Sequence, residues 1–182
     1  WEVGHEVLQE HAADHPLARG ECVGYRLVRG IVRLLLWLFY RRIDVVGHDH
    51  IPTTGPLIVT PNHHNALVDA MLIVATCPRP IRVLAKSTLF RHPLIAPFLW
   101  LMGGVPVYRR IEAGDDPRRN EEMFGSVVAA LRAGGVVLIF PEGRSQPQPV
   151  VLPLRTGVAR IVLETEAASA RPGERVGVTI LP

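Results

Sequence analysis

The sequence predicts an α/β fold, a mixed, largely parallel sheet covered by helices, with an N-terminal amphipathic helix. Short strands that are apolar almost throughout alternate with helical stretches, as in a sheet buried on both faces. Three polar clusters each follow a strand, at the sheet edge where ligands collect in open α/β folds. The 182 residues suit one domain, and 48% hydrophobic with 20% charged residues excludes a disordered chain.

Residues 1–20 are polar, and His5, His11 and His15 lack the spacing of a ligand set, so this reads as a solvated segment. The stretch 21–42 reads as a long helix. Arg26, Arg29 and Arg33 share one face of it, while Leu27, Ile31, Leu34, Leu35 and Leu38 fill much of the rest. Trp37 and Tyr40 lie near its end. Such a basic amphipathic helix suits the headgroup region of an anionic membrane. No apolar run reaches the 18 or more residues that read as a spanning helix.

IDVVG (43–47) reads as a short strand and HDHIPTTGP as a loop. LIVT (57–60) is a buried strand, PNHHN a loop, and 66–76 a short helix with Asn65 as its N-cap. IRVLA (81–85) is a strand, 92–102 a short helix, and VPVY (105–108) a strand. RRIEAGDDPRR (109–119) is a charged loop. The next helix has Asn120 as its N-cap and Gly134 as its stop. VVLIF (136–140) is a strand, PEGRSQPQPVVLPL a loop, 155–169 a helix, and VGVTIL a last strand. The chain is expected to divide into 1–42, an N-terminal segment and membrane-associating amphipathic helix, and 43–182, the single folded domain, truncated at its C-terminus.

Net charge is +3, and every basic residue except Lys86 is arginine, a side chain that forks onto phosphate. Cys22 and Cys77 are too few for a disulfide framework or a four-cysteine zinc site.

The first cluster, Asn62-His63-His64-Asn65-Ala66-Leu67-Val68-Asp69, pairs histidine, the usual general base near neutral pH, with a carboxylate that can fix its tautomer. Neither histidine aligns with Asp69 on one continuous helix, so a turn must intervene. No G-x-S-x-G elbow frames a serine nucleophile, so the base is expected to act on a substrate oxygen. A His-His-Asp metal site is the rival, made awkward by the adjacency of His63 and His64. In the second cluster Arg109 leaves a strand after the Gly103–Gly104 turn and suits a phosphate clamp. In the third, Phe140-Pro141-Glu142-Gly143-Arg144-Ser145, Glu142 could take substrate hydroxyls, Gly143 admits close backbone approach, and Arg144 adds a phosphate contact.

Taken together, N-H-H-N-A-L-V-D, G-G-V-P-V-Y-R and F-P-E-G-R-S resemble, in order, the motifs of the glycerolipid acyltransferase family, over about Ile43 to Pro182. The resemblance implies an O-acyltransferase moving a fatty acyl group from acyl-CoA or acyl carrier protein to a glycerophosphate or lysophospholipid. It implies a histidine base supported by Asp69, and an acceptor held by Arg109, Glu142, Gly143 and Arg144. Lys86, in A-K-S-T-L-F, sits where relatives often carry lysine. No metal or bound cofactor and no nucleic acid partner is implied, and attachment to the cytoplasmic membrane face is. His64 has the family's commonest spacing to Asp69. Asn62, His63 and Asn65 fit a branch reading N-H-x-N-x-x-x-D, which favours His63 as base with His64 its neighbour. The third motif reads E-G-R-S where E-G-x-R is usual. The alternatives are a non-catalytic anionic-lipid-binding module, or an acyltransferase for another polar lipid or a sugar.

Overall fold

The computed structural model describes residues 23–65, 67–108, 117–146, 148, 150–168 and 175–182. Five strands form one sheet: β1 (Leu57–Val59), β2 (Ile81–Lys86), β3 (Val105–Val107), β4 (Val136–Leu138) and β5 (Thr179–Leu181). Their order across the sheet is β3-β2-β4-β1-β5, and every neighbouring pair is parallel. The largely parallel sheet is thus wholly parallel among the described residues. The helices are α1 (Val23–Phe39), α2 (Val68–Thr76), α3 (Ala96–Leu101), α4 (Pro117–Arg132) and α5 (Gly157–Ala167).

Side chains alternate across each strand, and both faces are apolar. Leu57, Val59, Ile81, Val83, Val136 and Leu138 pack with Tyr25, Val28, Val32 and Leu36 of α1 and Val74 of α2. Ile58, Leu84, Val105 and Val137 pack on the other face, with Met123, Val127 and Leu131 of α4 and Ile161 of α5. Helix α1 is therefore part of the core, and the Tyr25 hydroxyl accepts the Ile81 NH at 3.1 Å.

The face of α1 that meets the domain carries arginines. Arg29, buried, donates to the Cys77 carbonyl, and Arg33 Nε donates to the Ala75 carbonyl at 3.0 Å. Both carbonyls lie at the C-terminal end of α2, where peptide dipoles favour cations. Val23, Leu27, Leu34, Leu35, Trp37, Leu38 and Phe39 remain exposed. The helix thus has two apolar sides, Tyr25, Val28, Val32 and Leu36 packed inward and the leucines outward, with Arg29 buried between them and Arg33 exposed beside the Ala75 carbonyl. No helix among the described residues is long and apolar enough to cross a membrane.

Three local expectations are corrected. IDVVG (43–47) forms no strand, because no sheet edge pairs with it, and Val46 is 97% exposed. Helix α4 starts at Pro117, whose fixed φ suits a first turn, so Asn120 is interior and caps nothing. Asn65 does not cap α2 either, since Leu67 holds that position without a side-chain bond.

Candidate active site

In a wholly parallel sheet every strand delivers its following loop to the same edge. Strands β1 and β4 are adjacent, with Val59 level with Leu138. The first and third clusters therefore emerge side by side, although about eighty residues of chain separate them. Strand β2 flanks β4 on its other side and ends at Lys86, which is half-buried. Strand β3 lies beyond it. Arg109, which follows β3 in sequence, lies outside the described residues.

His63 is the ring that meets the acid. Its Nδ1 lies 3.1 Å from Asp69 Oδ2, with the two side chains 12% and 22% exposed. An ionised carboxylate only accepts, so this contact needs the proton on Nδ1 and leaves the Nε2 lone pair bare in the neutral ring. Nε2 has no hydrogen bond to a described residue. The same Oδ2 accepts the Asn65 NH at 2.7 Å, and the Asp69 NH donates to the Asn65 carbonyl at 3.0 Å. Asp69 thus reaches back over its own turn, doing for the helix entry what a capping side chain does. That turn also carries His63 far enough off the helix axis to meet Asp69. His64 is half-buried and makes no hydrogen bond to a described residue.

The loop after β4 holds His63 on three more sides. The Phe140 ring stacks on the imidazole, with centroids 3.6 Å apart and planes within 18°. Glu142 Oε1 accepts the His63 NH at 3.2 Å, and the His63 carbonyl accepts the Gln146 NH at 3.1 Å. Glu142 Oε2 accepts the Leu152 NH, also at 3.2 Å. Glu142 is 2% exposed, so its carboxylate joins the histidine loop to the segment after it and lies away from solvent. Gly143 has φ +71°, a left-handed conformation that glycine adopts without strain. Arg144 is exposed.

Three contributors carry no role in the sequence reading: the Phe140 ring, the Gln146 NH and Arg155. Phe140 could have been suspected from its place next to Pro141-Glu142. Gln146 and Arg155 act through backbone bonds to distant loops, which leave no local sequence signal. An open pocket of about 370 Å³ is lined by Glu142 and Arg144 of this loop and by Leu152, Pro153, Leu154 and Arg155. Among the described residues no three His, Cys, Asp or Glu side chains gather as a metal site.

The fold and the site define an α/β protein in which an imidazole is hydrogen-bonded to a carboxylate, with no described serine or cysteine hydrogen-bonded to that ring. The chain belongs to the acyltransferase family, whose model, described as Acyltransferase, matches residues 42–182. A 1-acyl-sn-glycerol-3-phosphate acyltransferase of Borreliella burgdorferi is 28% identical over 160 residues, covering 88% of this chain and 57% of that protein. Glycerol-3-phosphate O-acyltransferase 2 of Saccharomyces cerevisiae is 42% identical over 59 residues, 32% of this chain and 8% of that one. The crystal structure of the 1-acyl-sn-glycerophosphate acyltransferase PlsC from Thermotoga maritima shares the fold, with a TM-score of 0.60 at 21% identity. That match covers 86% of this chain and 64% of the other. The chain thus spans little more than half the length of the Borreliella relative.

Proposed function

We propose that this chain is the catalytic part of an O-acyltransferase of phospholipid synthesis, with His63 as general base and Asp69 as its orienting acid. The acceptor hydroxyl gives its proton to His63 Nε2 as its oxygen attacks the thioester carbonyl of acyl-CoA or acyl carrier protein. The C–S bond breaks, the ester forms, and the thiolate leaves with the proton now on the imidazolium. Asp69, on Nδ1, favours the imidazolium as it forms. The observation that carries this reading is the 3.1 Å His63–Asp69 contact in a chain of the acyltransferase family.

The acceptor is a glycerophosphate. The Borreliella relative's name supports 1-acylglycerol 3-phosphate, a lysophosphatidic acid. Glycerol 3-phosphate is the second reading, favoured by the short match to the yeast protein. Lys86 and Arg109 belong to the substrate contacts of this reading, with His64 beside the base. The exposed apolar stripe of α1, with Leu94, Phe98 and Trp100 also exposed around neighbouring α3, supports docking on the membrane that holds the lipid acceptor. Trp37 on α1 and Tyr40 directly after it suit its interface. On this reading the chain works at the cytoplasmic membrane face.

The test is acyl transfer from labelled acyl-CoA and from acyl carrier protein to 1-acylglycerol 3-phosphate, glycerol 3-phosphate and monoacylglycerol on vesicles. Labelled ester on a phosphate-bearing acceptor is the expected product. Vesicle binding without any thioester consumption would instead make the chain a lipid-binding module.

A further inference from the structure

The backbone of Phe140 is fixed on both sides. Before it, the Ile139 NH donates to the Val59 carbonyl at 3.0 Å, which carries the β1–β4 ladder one residue past β4. Strand alternation then puts Phe140 on the face of Leu138, and it packs against the core cluster that holds Leu138 and Val59. After it, the Gly143 NH donates to the Phe140 carbonyl at 3.0 Å, and the Arg155 NH donates to the Pro141 carbonyl at 2.8 Å. The phenyl ring is therefore placed by the sheet and by its own turn, not by the imidazole it meets.

The two rings meet face to face. Their centroids are 3.6 Å apart and their planes 18° from parallel. Carbon atoms touch at about 3.5–4.0 Å, so this separation leaves almost no sideways offset. Two neutral aromatic rings avoid such a sandwich and prefer offset or edge-on contact, because their negative faces repel. A cation over the same face is attracted by it. The contact thus favours the imidazolium over the neutral imidazole. It also acts where Asp69 does not: the carboxylate holds Nδ1 at the ring edge, and the phenyl ring sets the plane.

We propose that Phe140 is a positioning residue for acyl transfer, whose π face stabilises the positive charge that His63 gains on taking the acceptor's proton. The assignment rests on the reading of His63 as general base. The proton passes from the acceptor hydroxyl to Nε2, and no bond to Phe140 forms or breaks. The attraction grows as the charge develops, so it lowers the barrier without tightening ground-state binding. Its loss is read in kcat and not in KM.

Two experiments test it. In the first, Phe140 alone is replaced by phenylalanines carrying one, two and three ring fluorines, which withdraw electron density from the π face and barely change its size. In acyl transfer to 1-acylglycerol 3-phosphate, kcat should fall with each fluorine, reaching about three- to thirtyfold at three, with KM within about twofold of wild type. Phe140→Leu should lose about as much, and Phe140→Tyr should keep most of the activity. A melting temperature unchanged across the fluorine series would separate the effect from packing. A kcat independent of fluorine count, or a loss carried by KM, would overturn the proposal. In the second, which needs no turnover, NMR of histidine-labelled chain reads the ring protons of His63. A phenyl ring over the imidazole face should move them upfield, and Phe140→Leu should abolish that displacement. No displacement in wild type would overturn the stacked contact and the proposal with it. Displacement in a chain that transfers no acyl group would overturn the reading of His63 as base and leave the contact standing.

Discussion

Glu142 and Arg144 are two residues apart on one turn and are used in opposite ways. Glu142 is buried, and each of its oxygens holds a backbone NH, one of them that of His63. Arg144 stands in solvent, as does Arg155 across the pocket. The buried carboxylate is committed to the histidine loop, whereas the two guanidiniums stand exposed. His63 is thereby fixed at ring face, Nδ1, NH and carbonyl, the preorganisation that the proposed base needs.

The sharpest way to break this comparison is at the two histidines. His63→Ala should lower kcat for acyl transfer by about 10²–10⁴-fold, whereas His64→Ala should change it by about threefold or less. Equal losses in both would erase the distinction between a held ring and its neighbour. Glu142→Gln probes the inner side next. Glutamine has one acceptor oxygen where the carboxylate has two, so the NH of His63 or Leu152 loses its partner. Chemical denaturation should show a loss of about 1–3 kcal/mol, and kcat should fall about tenfold without a matching rise in KM. Unchanged stability would mean that the carboxylate does not bracket the loop.

How far this was legible in the sequence depends on whether the deciding contact is local. The strands LIV, IRVLAK and VVL are legible because burial on both faces writes an apolar run into the chain. IDVVG has the same composition, yet it has no partner strand, and pairing is invisible to a local pattern. The spacing of Arg29 and Arg33 correctly puts them on one face. Which face meets the domain is decided by carbonyls more than forty residues away, at the end of α2. The cluster Asn62–Asp69 announces a histidine and an acid but not which ring turns inward. Glu142 reads as a ligand for substrate, and nothing nearby reveals that it also accepts the NH groups of His63 and Leu152.

The smallest expected effect lies away from the site. Glu166, on α5, accepts the NH groups of Val178 and Val176, both at 2.8 Å, at the entry to β5. The hydrogen bond from Val178 chiefly holds its carboxyl below the ordinary value of 4.5. A depressed folded value means that its contribution to stability is present above the unfolded value and disappears as pH falls through the folded one. Glu166→Gln should therefore be slightly less stable than wild type near neutrality, with the gap closing below about pH 4 in paired denaturation curves. A gap independent of pH would show that those hydrogen bonds do not need the charge.

The most direct test of the central claim is the tautomer of His63. Long-range ¹H–¹⁵N spectra of histidine-labelled chain, assigned with the His63→Ala and His64→Ala variants, read it above the ring's titration. The Nδ1–H form with a bare Nε2 is expected for His63, and its preference should be lost in Asp69→Asn. An Nε2–H form at His63, or an Asp69-dependent Nδ1–H form at His64 instead, would contradict the account.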